Sequence, residues 1–324
     1  MIHPKEVTDS LPPLAEACYD ALHACFAIQQ RTTHTLASNP DAADFILAPI
    51  QGEGYGPCFE ALRDSAFYRR HAAKLIAYSP DGNQFPAIRG LYPSISRQWV
   101  RKGWALPAHY ISSHYPKFRF TEEEIRDKDI LFSFVGSSRT HPMREKIVRW
   151  RHPRAALVDV SAGADPRYWW ERDDRNDFVA LFRDVARRSQ FVICPRGISP
   201  SSIRLFEAME AGAVPVIVSD KLELPLGPDW DKFSFHVREQ EIEALPQMIE
   251  GWQDRAASMG ATARKEWQEH FAPQAAVASV IRWSRLLLAG SHRRTLKLRL
   301  KEYTNPHFVK TKVRVHLKQA TVPA

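Results

Sequence analysis

Between residues 195 and 212 the chain reads Pro195-Arg196-Gly197-Ile198-Ser199-Pro200-Ser201-Ser202 and then IRLFEAMEAG. Small and hydroxyl-bearing residues ahead of a helix leave backbone N–H groups free at the positive end of the helix dipole, a setting that suits a phosphate oxygen. Arg196 adds a planar guanidinium that stays charged. Within the helix Arg204, Glu207, Ala208 and Ala211 fall at i, i+3, i+4 and i+7, so one stripe carries two charged and two small side chains against which a ligand could lie. The same spacing describes a plain helix start equally well. In that reading Ser201 or Ser202 is the cap, and Arg204 with Glu207 is an exposed pair worth about 0.3–0.5 kcal/mol. A second loop of the same kind, Gly136-Ser137-Ser138-Arg139, again sets small residues and an arginine before a helix. Two such loops on one sheet edge favour an anionic ligand.

The elements that must position these loops follow from hydrophobic patterning. A first helix is expected over 14–34, then a buried strand within 44–51, a helix from Pro57 to about Arg70 and a strand at 75–78, with Asp81-Gly82 as a sharp turn. Residues 86–115, rich in Pro, Gly, Ser and aromatics, give no clear element. From Asp129 the pattern is regular: strands at 130–136, 155–160, 190–195, 214–219 and about 233–237 alternate with helices at 142–150, 175–188 and from about 201. Near-uniformly apolar strands alternating with helices imply an α/β fold with a doubly wound parallel sheet, whose ligands sit beyond the carboxyl ends of the strands. That rule places both loops on one edge. The acidic stretch 121–129 marks the boundary between a domain over 1–125 and one over 126–290, with 291–324 as a tail.

At 324 residues with 44% hydrophobic and 25% charged residues, the composition is that of a globular chain, and no apolar run approaches the ~18 residues a membrane-spanning helix needs. The N-terminus lacks a basic start followed by an apolar block, so no secretory signal is expected and a cytoplasmic location is. Four cysteines without a C-x-x-C pairing, and 13 histidines without H-E-x-x-H, point to reduced thiols and no metal centre. Nine of the 45 basic residues and one of the 37 acidic residues lie in 291–324, so this tail holds the entire net charge of +8. In it Leu296, Leu298 and Leu300, and later Val313, Val315 and Leu317, alternate with basic residues on either side of Asn305-Pro306. Period two predicts a β-hairpin with one apolar and one basic face, suited to an anionic membrane surface.

The stretch Phe191 to Phe235 resembles the core motif of the exostosin family of glycosyltransferases, with its P-x-G-x-S-x-x-S-x-R-x-x-E-A run, its G-x-x-P-V-I strand and its L-P then D-W loop. ADFILAPI at Ala43 to Ile50 and KDILFSFVGSSR at Lys128 to Arg139 are similar to that family's strands, in order. The resemblance implies a GT-B-type arrangement: two Rossmann-like domains facing a cleft, with a nucleotide-diphosphate sugar on the C-terminal one and a glycan or glycolipid acceptor toward the N-terminal one. It implies that Glu207 binds the donor ribose, that Ser201, Ser202 and the loop at Gly197 meet the diphosphate, and that Arg196 or Arg139 neutralises it; Gly136, Ser137 and Arg204 join them as donor-binding candidates from the loop and stripe readings. Retaining relatives often carry a second glutamate eight positions before this one; here that position is Ser199, which favours inversion. Eukaryotic members usually have an N-terminal membrane span. Its absence here points to a bacterial-type enzyme of surface polysaccharide synthesis, with a single transferase domain and a peripheral place at the inner membrane face.

Inversion requires a base for the acceptor hydroxyl and stabilisation of the departing nucleoside diphosphate. Two carboxylates that follow predicted strands of the first domain fit the base: Asp81, the preferred one, and Glu53. No cofactor or metal is expected. Gly52-x-Gly54-x-Gly56 has Pro57 where the dinucleotide fingerprint needs glycine, and Asp229-Trp230-Asp231 lies in a Pro-bounded loop and reads as structural. A different class, a non-catalytic polyanion- or nucleic-acid-binding protein on the same fold, would rely on the basic tail and show salt-dependent binding.

Overall fold

The computed structural model describes residues 13–28, 34–50, 57–79, 85–111, 119–161 and 175–290. Two compact units divide the chain between residues 113 and 114, with 223–226 and everything from 277 returning to the first.

The first unit contains α1 (Pro13–Ile28), β1 (Ile46–Pro49), α2 (Pro57–Asp64), α3 (Ala66–His71), β2 (Leu75–Tyr78), β3 (Gly90–Tyr92) and β4 (Ala105–Pro107). Its four strands form a parallel sheet in chain order. Every strand residue is buried, as the continuous apolar runs require. The helix expected from Pro57 to Arg70 is broken at Ser65. Its hydroxyl donates to the Leu62 carbonyl at 2.7 Å and accepts from the Tyr68 amide at 3.0 Å, so one serine closes α2 and caps α3. Strands β3 and β4 lie in the stretch that showed no pattern, because three residues are too few to display a period. The Asp81-Gly82 turn and the tail hairpin fall outside the described residues.

The second unit contains β5 (Ile130–Gly136), α4 (Pro142–Arg149), β6 (Ala155–Asp159), α5 (Arg175–Arg188), β7 (Ser189–Pro195), α6 (Arg204–Glu210), β8 (Val214–Val218), β9 (Phe235–Val237), α7 (Leu245–Trp252) and α8 (Ala256–His270). The last helix, α9 (Pro273–Ala289), begins here and continues into the first unit. The five strands are parallel in the order β6-β5-β7-β8-β9. The chain steps from β5 out to β6 and then back past β5 to β7. This reversal opens the crevice at the carboxyl ends of β5 and β7, where such sheets bind ligands. Both units are thus α/β with a parallel, Rossmann-like sheet.

One core joins Phe132, Phe134, Ile193 and Val216 of the sheet to Met143 and Ile147 of α4 and Ile249 of α7. Another joins Val135 to Phe182 of α5, Ala211, Phe120 and Ile125. The last two residues explain where the division falls: Ile125, within the stretch read as an acidic linker, and Phe120, just before it, are both buried in the second unit. Among the described residues, no helix is long and apolar enough to cross a membrane.

The turn after α6 is held by close backbone contact. Gly212 has φ +62°, and a Cβ on Gly260 of α8 would lie 2.4 Å from the Gly212 carbonyl oxygen. Gly260→Ala must push α8 away from this turn and should destabilise by about 1–3 kcal/mol. Gly251→Ala on exposed α7, with nothing within 4 Å of the new methyl, should stabilise by about 0.5–1 kcal/mol. Urea denaturation of the two variants checks the contrast, and equal midpoints for Gly260→Ala and wild type would contradict the contact.

Candidate functional site

Strand β5 ends at Gly136, where a Cβ would stand 2.8 Å from the Phe134 ring. The loop that follows is braced by Asp159 from the end of neighbouring β6. Asp159 accepts from the Ser138 amide at 3.0 Å and hydroxyl at 2.7 Å, and from the Ser161 amide at 3.0 Å and hydroxyl at 2.6 Å. The Ser137 and Ser161 hydroxyls lie 2.9 Å apart. Burial pushes the Asp159 carboxyl up, but the hydrogen bonds from Ser161 and Ser138 outweigh it and hold it below its ordinary value. The Ser138 amide is therefore already occupied. Arg139 is exposed on the short 3-10 turn beyond.

Strand β7 ends at Pro195, and the Arg196 amide donates to the Val218 carbonyl of β8 at 3.0 Å. The Arg196 side chain is mostly buried and bonds through Nε to Glu239 Oε1 at 2.7 Å. The same Glu239 oxygen accepts from the Asp220 amide at 3.2 Å. Arg196, expected to face an anion alone, thus has a carboxylate beside it. Beyond it the amides of Gly197, Ile198, Ser199 and Ser202 have no acceptor among the described residues. Ile198 is held out to solvent, 52% exposed. Ser201 and Ser202 are buried, and the helix starts later than expected: its N-cap falls on Ile203.

The stripe on α6 is packed into the fold, and its charged pair is not exposed. Arg204 and Glu207 form an ion pair whose side chains keep 13% and 6% of their exposure. Arg204 also donates to the Val135 carbonyl at 3.0 Å and lies 3.9 Å over the Phe182 ring. Ala208 and Ala211 are fully buried. The reading of an exposed pair is corrected by packing: α6 lies against the sheet and α8, so every one of its residues after Arg204 is buried. Glu207 keeps one carboxylate oxygen, Oε1, buried without a hydrogen-bond partner among the described residues. Burial pushes its carboxyl up against the downward pull of Arg204.

Two residues that the sequence reading passed over stand in the middle of the site. Arg144, in the first turn of α4, donates to the carbonyls of Pro195 at 2.7 Å, Arg196 at 3.0 Å and Ser137 at 3.5 Å. His141 caps α4, its Nδ1 accepting from the Met143 amide at 3.3 Å; burial and then Arg196 push its imidazole below the usual value. A signal existed for Arg144, since a cation in the first turn of a helix opposes the dipole and needs a local reason. Asp81 and Glu53 lie outside the described residues. The Asp229-Trp230-Asp231 triplet is tied into the fold: Lys232 bridges Asp229 at 2.9 Å and Trp230 packs 5.9 Å from Phe271. Among the described residues, one group of metal-ligand types, Glu266, Glu269 and His270, shares a turn of α8.

A parallel sheet of this order, with small-residue loops, open amides and guanidinium groups at its reversal point, defines a Rossmann-like α/β domain with an anion-suited crevice. Residues 96–251 match the family model of the exostosin GT47 domain. A probable glucuronoxylan glucuronosyltransferase, IRX7 of Arabidopsis thaliana, is 32% identical over 39% of this chain and 28% of its own. A probable glucuronosyltransferase of rice, Os03g0107900, is 26% identical over 40% of this chain and 30% of its own. The chain therefore spans less than a third of the length of these curated relatives. Among solved structures, a glycosyltransferase from Rickettsia africae aligns over 63% of this chain and 64% of its own, at 11% identity and a TM-score of 0.36.

The packing of α6 has a pH signature. Burial pushes the Glu210 carboxyl from 4.5 up to about 8, with Arg264 only partly offsetting it. Across that window the folded protein holds a proton that the unfolded chain releases, so this residue's contribution to stability is lost as pH rises. Glu210→Gln does not titrate and should gain on wild type between pH 5 and 8, by up to about 1.4 kcal/mol per unit. Urea denaturation at both pH values measures the difference; a constant gap would show that Glu210 is not the titrating group.

Proposed function

We propose that the protein is an inverting glycosyltransferase that moves a sugar from a nucleotide-diphosphate donor to a hydroxyl of a glycan or glycolipid. The observation that carries this reading is the meeting of the Gly136 and Gly197 loops at the β5/β7 reversal, with open amides at Gly197 to Ser199, inside the region that matches the exostosin GT47 domain. The donor diphosphate would lie against these loops. Arg139, exposed and without an ion pair among the described residues, and Arg196, shared with Glu239, would offset its charge. Glu207 would meet the ribose, with Oε1 as the acceptor still lacking a donor. Ser201 and Ser202 would support the loop from below rather than cap α6.

In the reaction, the acceptor oxygen attacks the anomeric carbon as the bond to the nucleoside diphosphate breaks, and the acceptor proton passes to a carboxylate. Asp81 is assigned this base, with Glu53 as the second candidate. The chemistry uses no metal in this reading, since positive charge at the loops and backbone amides stabilises the leaving group. The setting proposed is surface polysaccharide synthesis, with the basic 291–324 tail meeting anionic lipid.

A thermal-shift screen with nucleoside diphosphates and nucleotide sugars tests the donor site, because a ligand that binds only the folded state raises its stability. The panel includes UDP-glucuronic acid, given the relatives' names. Glu207→Ala should weaken nucleotide binding by about 1–3 kcal/mol, and unchanged affinity in a folded variant would remove its role. Asp81→Asn should abolish transfer and leave donor binding intact; a fully active variant moves the base elsewhere. Activity should survive EDTA. Loss on chelation, restored by Mn²⁺, would contradict the metal-free reading.

A further inference from the structure

We infer that Arg144 is the positioning residue of the donor site, and that it aims the Gly197 amide at the diphosphate. This rests on the reading that the diphosphate lies at the Gly136 and Gly197 loops. A guanidinium in the first turn of a helix sits against the unfavourable end of the dipole, so its place must be secured by other contacts. Here those contacts are three backbone carbonyls at the ends of two strands. Nε reaches Arg196 just beyond β7 at 3.0 Å and Nη2 reaches Pro195 at its end at 2.7 Å. Nη1 reaches Ser137 beyond β5 at 3.5 Å. The fork therefore spans the point where the strand order reverses. Its charge also lies over the Phe134 ring, 5.5 Å from the centroid.

What this does to the loops follows from peptide geometry. In a trans peptide the C=O and the following N–H point in opposite directions, so each carbonyl that Arg144 gathers turns the next amide away from it. The three amides concerned belong to Arg196, Ser138 and Gly197. The first donates to the Val218 carbonyl at 3.0 Å and the second to Asp159 at 3.0 Å. The third has no acceptor among the described residues. Arg144 thus leaves one open donor, at Gly197, while it binds the carbonyl oxygens whose partial negative charge would repel an anion in the crevice. Gly197 belongs to the same device: a Cβ there would stand 3.3 Å from both Arg144 Nη2 and Thr140 Oγ1.

The test is a double-mutant cycle on the full chain, with UDP and inorganic pyrophosphate as probes in calorimetry and the melting temperature recorded in parallel. Arg144→Met should raise both dissociation constants by about tenfold or more in a protein that still melts cooperatively. Gly197→Ala, which crowds the guanidinium, should weaken binding alone but add little in the Arg144→Met background, because both changes act on one amide. Arg144→Lys keeps the charge without the fork and should recover only part of the affinity. Wild-type affinity in folded Arg144→Met, additive effects in the cycle, or full recovery by lysine would each overturn the inference. If Arg144→Met fails to fold, the lysine variant and the glycine variant still decide it. A wild-type protein that binds neither probe would remove the donor reading itself, and the inference with it.

Discussion

An open parallel sheet leaves unpaired peptide groups at the carboxyl ends of the strands where its order reverses, and the rest of the second unit is arranged around that constraint. The carbonyls there have no strand to accept, and the amides have none to meet. Three carbonyls converge on one guanidinium, Arg144, which removes them from the crevice in a single step. Two of the linked amides are taken by the neighbouring strand and by Asp159. What is left facing outward is donor-rich. Such an edge selects for an anion before any side chain of the ligand's own recognition is considered.

Holding that edge in place requires buried charge elsewhere. Arg204 fixes α6 to β5 through the Val135 carbonyl and to α5 through the Phe182 ring, and Glu207 balances it. A buried pair of this kind contributes little net stability, because desolvation consumes most of the attraction, but breaking it leaves an uncompensated charge. Its effect is therefore on geometry: α6 is short, seven residues, and its register against β5 and α5 decides where the 196–203 loop begins. At the other end Lys128 donates to the carbonyls of Arg187 and Ala211 at 3.0 and 2.8 Å, and burial pushes its amine down to about 8. One lysine thus closes the last turns of both α5 and α6.

Strands β5, β7 and β8 were legible in the sequence because their apolar runs are five to seven residues long and buried on both faces, and the loops after Gly136 and Pro195 followed from the parallel-sheet rule. What the pattern could not show is which partner each polar group would choose. Arg204 and Glu207 have the spacing of an exposed pair and the environment of a core pair, and the difference comes from Phe178 and Phe182, 22 or more positions away on α5. Arg196 reads as an unpaired cation because Glu239 lies 43 residues further on. Arg144 was missed for the same reason: its partners are carbonyls, which every residue has. The break at Ser65 was hidden because a serine inside a helical pattern becomes a cap only when its hydroxyl finds the right amide.

The resemblance to the exostosin motif acquires a physical content in this light. Its run of Pro195, Gly197, Ser199, Ser202, Arg204, Glu207 and Ala208 mixes two kinds of requirement. A side chain at Gly197 would crowd Arg144 and Thr140, which stand 3.3 Å from where its Cβ would be. Ala208 must be small because α6 is packed tight, and Arg204 with Glu207 must co-occur because either alone would be a buried, unbalanced charge. Only the loop amides and the unpaired Glu207 oxygen remain uncommitted to the fold. A motif of this sort is mostly a specification of how to hold a short loop still. The chemistry enters through the few donors and acceptors that the fold leaves unsatisfied, which in this motif, among the described residues, include the amides of Gly197, Ile198, Ser199 and Ser202 and the Oε1 of Glu207.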